Sequence, residues 1–440
     1  MEIDVEGIAS PPVAAALTPG QRRKAIIAAT LGNGLEFYDF VTFAYFAIQI
    51  GHTYFPSESS FLSLMGALAT FGAGFLTRPL GAYLIGGYAD RHGRRPAMLF
   101  SMGLMGCGIL LLGLTPGYAQ IGMAAPVIAV IARLMQGFAL GGEVGSATAY
   151  MMESATEDRR GYAISWQGAS QSISSTVGAM VGLALSHYLT SAELDSYGWR
   201  IALLLGASIV PVALIIRNSL PETHVIEPKM VAKKVPVLPH LRVIVLGVAI
   251  IASGTIATYI FHYMATFGQN TLKLSPEISF GGETASNAIS IAAVLLGGAL
   301  SDRIGRRWVM IAPQVLFAIA IVPCFLWLTS VRDATSFIGA NLLLSLFSSI
   351  GSGAIYAAIS ESLPPAIRAR TFALVYSVPV ALFGGTTQLV VTWLLHVTGN
   401  PMAIAWYLTA VTLVGLVAMG LMIESAPARS RDLGAPTPAL

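Results

Sequence analysis

The chain has 440 residues, 55% hydrophobic and only 11% charged, against about 25% charged in an ordinary soluble domain. Its net charge of +3 says less than the placement of the charges, and neither Cys107 nor Cys324, both inside apolar runs, suggests an extracellular disulfide framework. Apolar runs of about 20 residues, long enough to cross a bilayer, recur throughout and define an all-α polytopic membrane protein.

Residues 1–24 read as a tail, small, Pro-containing and weakly acidic at first, with no cleavable signal evident. Twelve spans are expected near 25–50, 61–88, 96–115, 124–151, 162–188 and 199–217, then 241–269, 283–300, 308–329, 335–360, 371–396 and 402–423. They form two six-helix halves, 25–217 and 241–423. Segment 218–240, with Pro221, Pro228, Pro236, Pro239 and several lysines, reads as the linker between them, and 424–440 as a second tail. The tails, the linker and the even-numbered turns hold 20 of the 25 Lys and Arg. By the positive-inside rule both termini and the linker are expected in the cytoplasm.

Two motifs repeat between the halves. Asp90-Arg91-His92-Gly93-Arg94-Arg95 returns as Asp302-Arg303-Ile304-Gly305-Arg306-Arg307, an offset of 212 residues. Glu153-Ser154 with Arg159 and Arg160 returns as Glu361-Ser362 with Arg368 and Arg370, an offset of 208. Two motifs at nearly one offset mark parallel halves able to move against each other.

Ionisable side chains within a span cost at least about 2.5–3.5 kcal/mol, so each needs a partner or a task. Glu36 and Asp39 share a face of the first span, with Tyr38 beside them. Arg78 lies twelve residues before Asp90, about 18 Å into the second span, and Arg133 lies within the fourth, followed on the same helix by Glu143. Structural pairing with Glu36, Asp39 or Glu143 is one explanation for the arginines; a substrate carboxylate, which the planar guanidinium fork suits, is the other. Glu36 or Asp39 could in turn load a proton with the anion, since a neighbouring Arg governs whether a desolvated carboxyl stays charged. Gln167 and Gln171 share a face of the fifth span, where interhelical bonding and a cavity position are both open. At the repeat offsets Arg133 corresponds to Asn341, Glu143 to Gly351 and Arg78 to Ser290. The second half therefore reads as lacking these charges, offering Tyr259, Tyr263, Asn287, Asn341, Tyr376 and Gln388. His187, His262 and His396 fall near the outer ends of spans, where an interfacial place is ordinary.

Together these motifs resemble the major facilitator superfamily, and within it the metabolite:proton symporters. The resemblance rests on Gly32-Asn33-Gly34-Leu35-Glu36-Phe37-Tyr38-Asp39-Phe40, both loop repeats, Arg133 to Glu143, Arg159-Arg160-Gly161 leading to Ser165-Trp166-Gln167, Pro221-Glu222-Thr223 and Phe383-Gly384-Gly385-Thr386. Phe71 to Pro79, Tyr197-Gly198-Trp199-Arg200 and Ala265-Thr266-Phe267-Gly268 look closest to citrate and tricarballylate symporters. The first span departs from the family, with Phe37 in place of its usual Trp and Gly34 where a bulkier residue is common.

The resemblance implies a proton-coupled importer of citrate or a related tricarboxylate. It would be a monomer in a bacterial inner membrane, without cofactor, metal or nucleic acid. Substrate contacts are expected from Arg78, Arg133, Tyr38, Gln167, Gln171, Tyr259, Tyr263 and Asn341, and proton coupling from Glu36 and Asp39. A cytoplasmic gate is expected from Asp90, Arg91, Arg94, Arg95, Glu153, Asp302, Arg303 and Arg306. Carriage of another organic acid or a zwitterionic osmolyte is the nearest alternative. A membrane sensor would need a sizeable soluble domain, and an enzyme a nucleophile–base pair or metal-ligand spacing.

Overall fold

The computed structural model describes residues 34, 37–92, 94–141, 155–218 and 240–426. Seven helices among them are long and apolar enough to cross a membrane, and the shorter apolar helices Leu99–Leu114 and Ala124–Leu140 add to these. Three further rods complete twelve. In chain order they are α1 (37–45, continued by Ala47–Tyr54), α2 (Ser60–Leu76 and Arg78–His92), α3 (Arg94–Leu114), α4 (Ala124–Leu140), α5 (Arg160–Tyr188) and α6 (Trp199–Asn218). The second half has α7 (Leu241–Thr266), α8 (Pro276–Ile304), α9 (Arg306–Val331), α10 (Ala334–Glu361), α11 (Pro365–Pro379 and Gly385–Thr398) and α12 (Ala403–Leu421). Large apolar side chains such as Leu76, Trp308, Ile319, Trp406 and Val417 face outward, an arrangement suited to lipid rather than water.

Local chemistry sets the helix ends. α10 starts where Asp333 Oδ1 accepts the Ser336 N–H at 2.8 Å while Ser336 Oγ accepts the Asp333 N–H at 3.2 Å, a reciprocal cap. α8 starts at Pro276, earlier than the expected 283, because Ser275 Oγ accepts the Ile278 N–H and Pro276 fits the first helical position. Ser279 is therefore inside the helix rather than before it, and Glu283 lies two turns within it rather than at its start. α2 is interrupted at Thr77, two residues before Pro79, which has no N–H for the helical ladder. Thr77 Oγ1 instead donates to the Leu134 carbonyl of α4 at 2.8 Å.

Small residues let helices meet backbone to backbone. A methyl group on Gly81 would collide with the Phe138 carbonyl, and one on Gly137 with that of Gly74, so α2 and α4 are fixed in register. That contact sets Arg78 and Arg133 side by side. Between the halves, α5 packs along α8, and α2 meets α11 where Gly72 faces Gly385.

Candidate functional site

Two guanidiniums, Arg133 buried and Arg78 half-buried, are held in an aromatic box where the halves meet. Arg133 lies over the rings of Phe43 at 4.4 Å, Phe40 at 5.3 Å and Phe71 at 5.4 Å. Its Nη1 pairs with Asp39 Oδ2 at 3.3 Å, both side chains being almost wholly buried, and also donates to Gln136 Oε1. Arg78 lies over Phe75 at 4.1 Å and Phe40 at 4.8 Å and interacts with the Tyr259 hydroxyl of α7, in the opposite half. The Phe75 and Tyr259 rings meet edge-on at 5.5 Å. Arg78 Nε, and Nε and Nη2 of Arg133, find no hydrogen-bond partner among the described residues. Asp39 thus pairs with Arg133, no described carboxylate pairs with Arg78, and donors are left over in a setting of low dielectric. Such a site attracts an anion.

Tyr259 also lines a cavity of about 170 Å³ between the halves, with Gln171 and Ser175 of α5, Asn287 of α8, Ser349 of α10 and Tyr376 of α11. The Tyr376 hydroxyl interacts with Gln171 and Tyr356, so both halves contribute to one polar wall. The cavity therefore begins beside Arg78 and extends into the second half. Contacts between the halves occur on both sides of it. At the end bearing the basic repeat, the N–H groups of Gly161 and Tyr162 donate to Asp302 at 2.8 and 2.9 Å. At the other end His187 pairs with Glu277 at 3.1 Å, Phe280 fills the space over Gly182, and His396 stacks on Phe61 with centroids 3.8 Å apart.

Of the residues expected from sequence, Arg78, Arg133, Asp39, Gln171 and Tyr259 are brought together. Others are not. Tyr38 turns to α6, where its hydroxyl donates to the Ala202 carbonyl at 3.0 Å. Tyr263 accepts from Thr392 at 3.0 Å, and Asn341 donates to the Phe337 carbonyl of its own helix at 2.8 Å. Gln167 is buried within α5 away from the cavity wall. Glu36 and Glu153 lie outside the described residues, as do the side chains of Asp90, Arg91, Arg94 and Arg95.

In the second copy of the repeat, Arg306 is fully buried. It donates to Asp302 at 2.6 Å and, through Nε and Nη2, to both oxygens of Glu361 at 3.0 and 2.9 Å. Arg303 is exposed. Glu361 belongs with this network, and its place in the second repeated motif was the signal for it. Asp302 thus ties its own Arg306 to the first turn of α5 across the divide.

The structure corrects one expectation outright: the second half does contain a deep charge-bearing side chain. Glu283 of α8 is buried against Tyr45 and Asn287. The polar residues around it lower the local hydropathy, so the span appeared to begin at 283 instead of 276. His262 is likewise buried and lines the cavity rather than sitting at an interface. No group of His, Cys, Asp or Glu among the described residues could hold a metal ion.

Twelve helices in two halves, with a polar cavity between them, define a secondary transporter rather than an enzyme. The chain belongs to the major facilitator superfamily, whose family model matches residues 25–294 and 282–439. It is 37% identical over 404 residues to a citrate-proton symporter of Salmonella typhi, a match covering 90% of this chain and 93% of that one. It is 35% identical to the alpha-ketoglutarate permease of Escherichia coli (strain K12), over 91% of this chain and 93% of the relative. Among solved structures the D-xylose-proton symporter shares the fold with a TM-score of 0.75 at 17% identity, over 91% of this chain and 98% of that one.

Proposed function

We propose that the protein imports citrate or a related tricarboxylate together with protons, by alternating exposure of the cavity between its halves. Arg78 carries this reading. It is a cation at the cavity's edge with an unpartnered donor, and no carboxylate is paired with it among the described residues. The citrate-proton symporter relatives at 37% and 36% identity support the same substrate class. The alpha-ketoglutarate permease favours a dicarboxylate as the second reading.

In this scheme Arg78 takes a substrate carboxylate, with Tyr259 and Gln171 completing its surroundings. Asp39 holds Arg133 while ionised. A proton on Asp39 weakens that hold, so Arg133 turns its charge towards the anion. Proton and anion then favour each other's binding, as linkage requires. The Asp302–Arg306–Glu361 network, with its hold on Gly161 and Tyr162, closes one end, and the arginines and aspartate of the 90–95 motif form its counterpart. The basic-residue distribution supports assigning that end, both termini and the linker to the cytoplasm, in a bacterial inner membrane. Every group in the site comes from one chain, so a monomer suffices.

Uptake of labelled citrate into proteoliposomes, with and without an inward proton gradient, tests the proposal. Gradient-driven accumulation is expected. Uptake of alpha-ketoglutarate but not citrate would replace the substrate, and accumulation independent of the gradient would remove the coupling.

A further inference from the structure

Glu283 has no role in the scheme above, and its surroundings are unusual for a carboxylate. It lies in the second turn of α8, and its side chain is wholly enclosed. Asn287 Nδ2 donates to Glu283 Oε2 at 3.2 Å and to the Tyr45 hydroxyl of α1 at 3.0 Å, so one amide joins the acid to the opposite half. Oε1 has no hydrogen-bond partner.

The elements packed around it supply no cation. From α1 comes Tyr45, and from α5 Ser175, which interacts with Tyr45. From α7 come the Ala265 backbone and His262, whose ring meets Tyr45 edge-on at 6.1 Å and whose Nδ1 is unpartnered. α10 presents the Phe337 ring at Gly282, and its Asn341 is turned to its own backbone. Nearer the helix start Glu277 is engaged with His187, and Lys273 is exposed. No Lys or Arg acts on Glu283 among the described residues.

We propose that Glu283 is a second proton-carrying group of this transporter, housed in the C-terminal half and joined to the cavity through Asn287 and Tyr45. A buried carboxylate ion with no cation beside it costs several kcal/mol, so with the halves together the group is the neutral acid. Asn287, His262 and Ser175 all line the cavity. When the halves part, Tyr45 leaves the Glu283–Asn287 pair and water enters. The carboxyl O–H bond then breaks, the proton passes to that water, and the hydrated carboxylate remains. Closing the halves again requires a proton to be taken up. Conformation and protonation are thereby coupled at a place independent of the Asp39–Arg133 pair.

The inference rests on the proton-coupled reading above, and Glu283→Gln tests it, because the amide keeps the shape but not the proton. In proteoliposomes, E283Q is expected to retain citrate exchange between equal concentrations and to lose accumulation driven by a proton gradient. Accumulation at the parent level with the parent proton-to-citrate ratio would overturn it. Infrared spectra of the citrate-free protein give a readout that does not depend on the substrate. A protonated-carboxyl band present in the parent and absent from E283Q is expected; its absence from the parent would overturn the proposal. If that band is present but citrate is not carried, the substrate reading falls and the proton site stands. Should E283Q fail to fold, Glu283→Asp should shift the pH profile of uptake, and an unshifted profile would contradict the role.

Discussion

At the scale of single residues, the proposed scheme has the arrangement of Asp39, Arg133 and Arg78 decide what the cavity can bind. Arg133 and Asp39 are each almost completely buried and 3.3 Å apart, so removing one leaves the other as an unpaired charge. Asp39→Ala is expected to destabilise the protein by about 3–5 kcal/mol, and the double change Asp39→Ala with Arg133→Leu by much less. Thermal unfolding in detergent checks this, and additive losses would show that the two do not act as a pair. The Arg133–Asp39 pairing was open to sequence reasoning, because a charge deep in a span restricts its partners to a few other deep charges. The direction of Tyr38 was not. It is adjacent to Asp39, but its ring points to Gly206 and Ala202 of α6, and the rotation of a helix about its axis depends on neighbours distant in sequence. Glu283 was missed for a different reason: it stands at the very start of the expected span, and only the backward extension of α8 from Ser275 and Pro276 places it two turns inside the helix.

At the scale of elements, the α5–α8 contact is the seam that must open and close. A side chain on Gly161 would meet Arg306, Ser301 and the Gly298 carbonyl. Gly161→Val is therefore expected to hold that end apart, keeping citrate binding while stopping turnover; parent-level turnover would show that closure there is dispensable. Asp302→Asn should weaken the same closure more gently, since it leaves the backbone contact and removes the charge that bonds Gly161, Tyr162 and Arg306. The α10 cap gives a pH-dependent element outside the membrane-spanning part. The backbone N–H of Ser336, and then its side chain, hold the Asp333 carboxyl below its usual value. A depressed carboxyl contributes stability above its unfolded value, near 3.8, and loses it as the pH falls through the folded one. Asp333→Ala should accordingly lower the melting temperature at neutral pH, with the gap from the parent narrowing in acid. A gap that stays constant down to acid pH would contradict the cap.

At the scale of the whole molecule, the repeat made the two-half plan legible, because equal motifs at nearly equal offsets leave little freedom in topology. What the repeat concealed is the division of labour. Read as pairs, Arg78 matches Ser290 and Arg133 matches Asn341, which suggests that all ionisable chemistry belongs to the first half. The folded chain has Asp39 with two arginines in one half and Glu283 in the other, on either side of a cavity that both halves line. The aromatic contacts of Phe40, Phe71 and Phe75 with Tyr259 bridge the divide, so the proposed anion site would be complete only when the halves meet. The central claim is that Arg78 receives the substrate's carboxylate there. Calorimetric titration of citrate into the purified parent and Arg78→Ala proteins tests it most directly. Loss of a buried charge partner costs about 2–5 kcal/mol, so the dissociation constant should rise by at least about tenfold. Equal affinity in the two proteins would contradict the account.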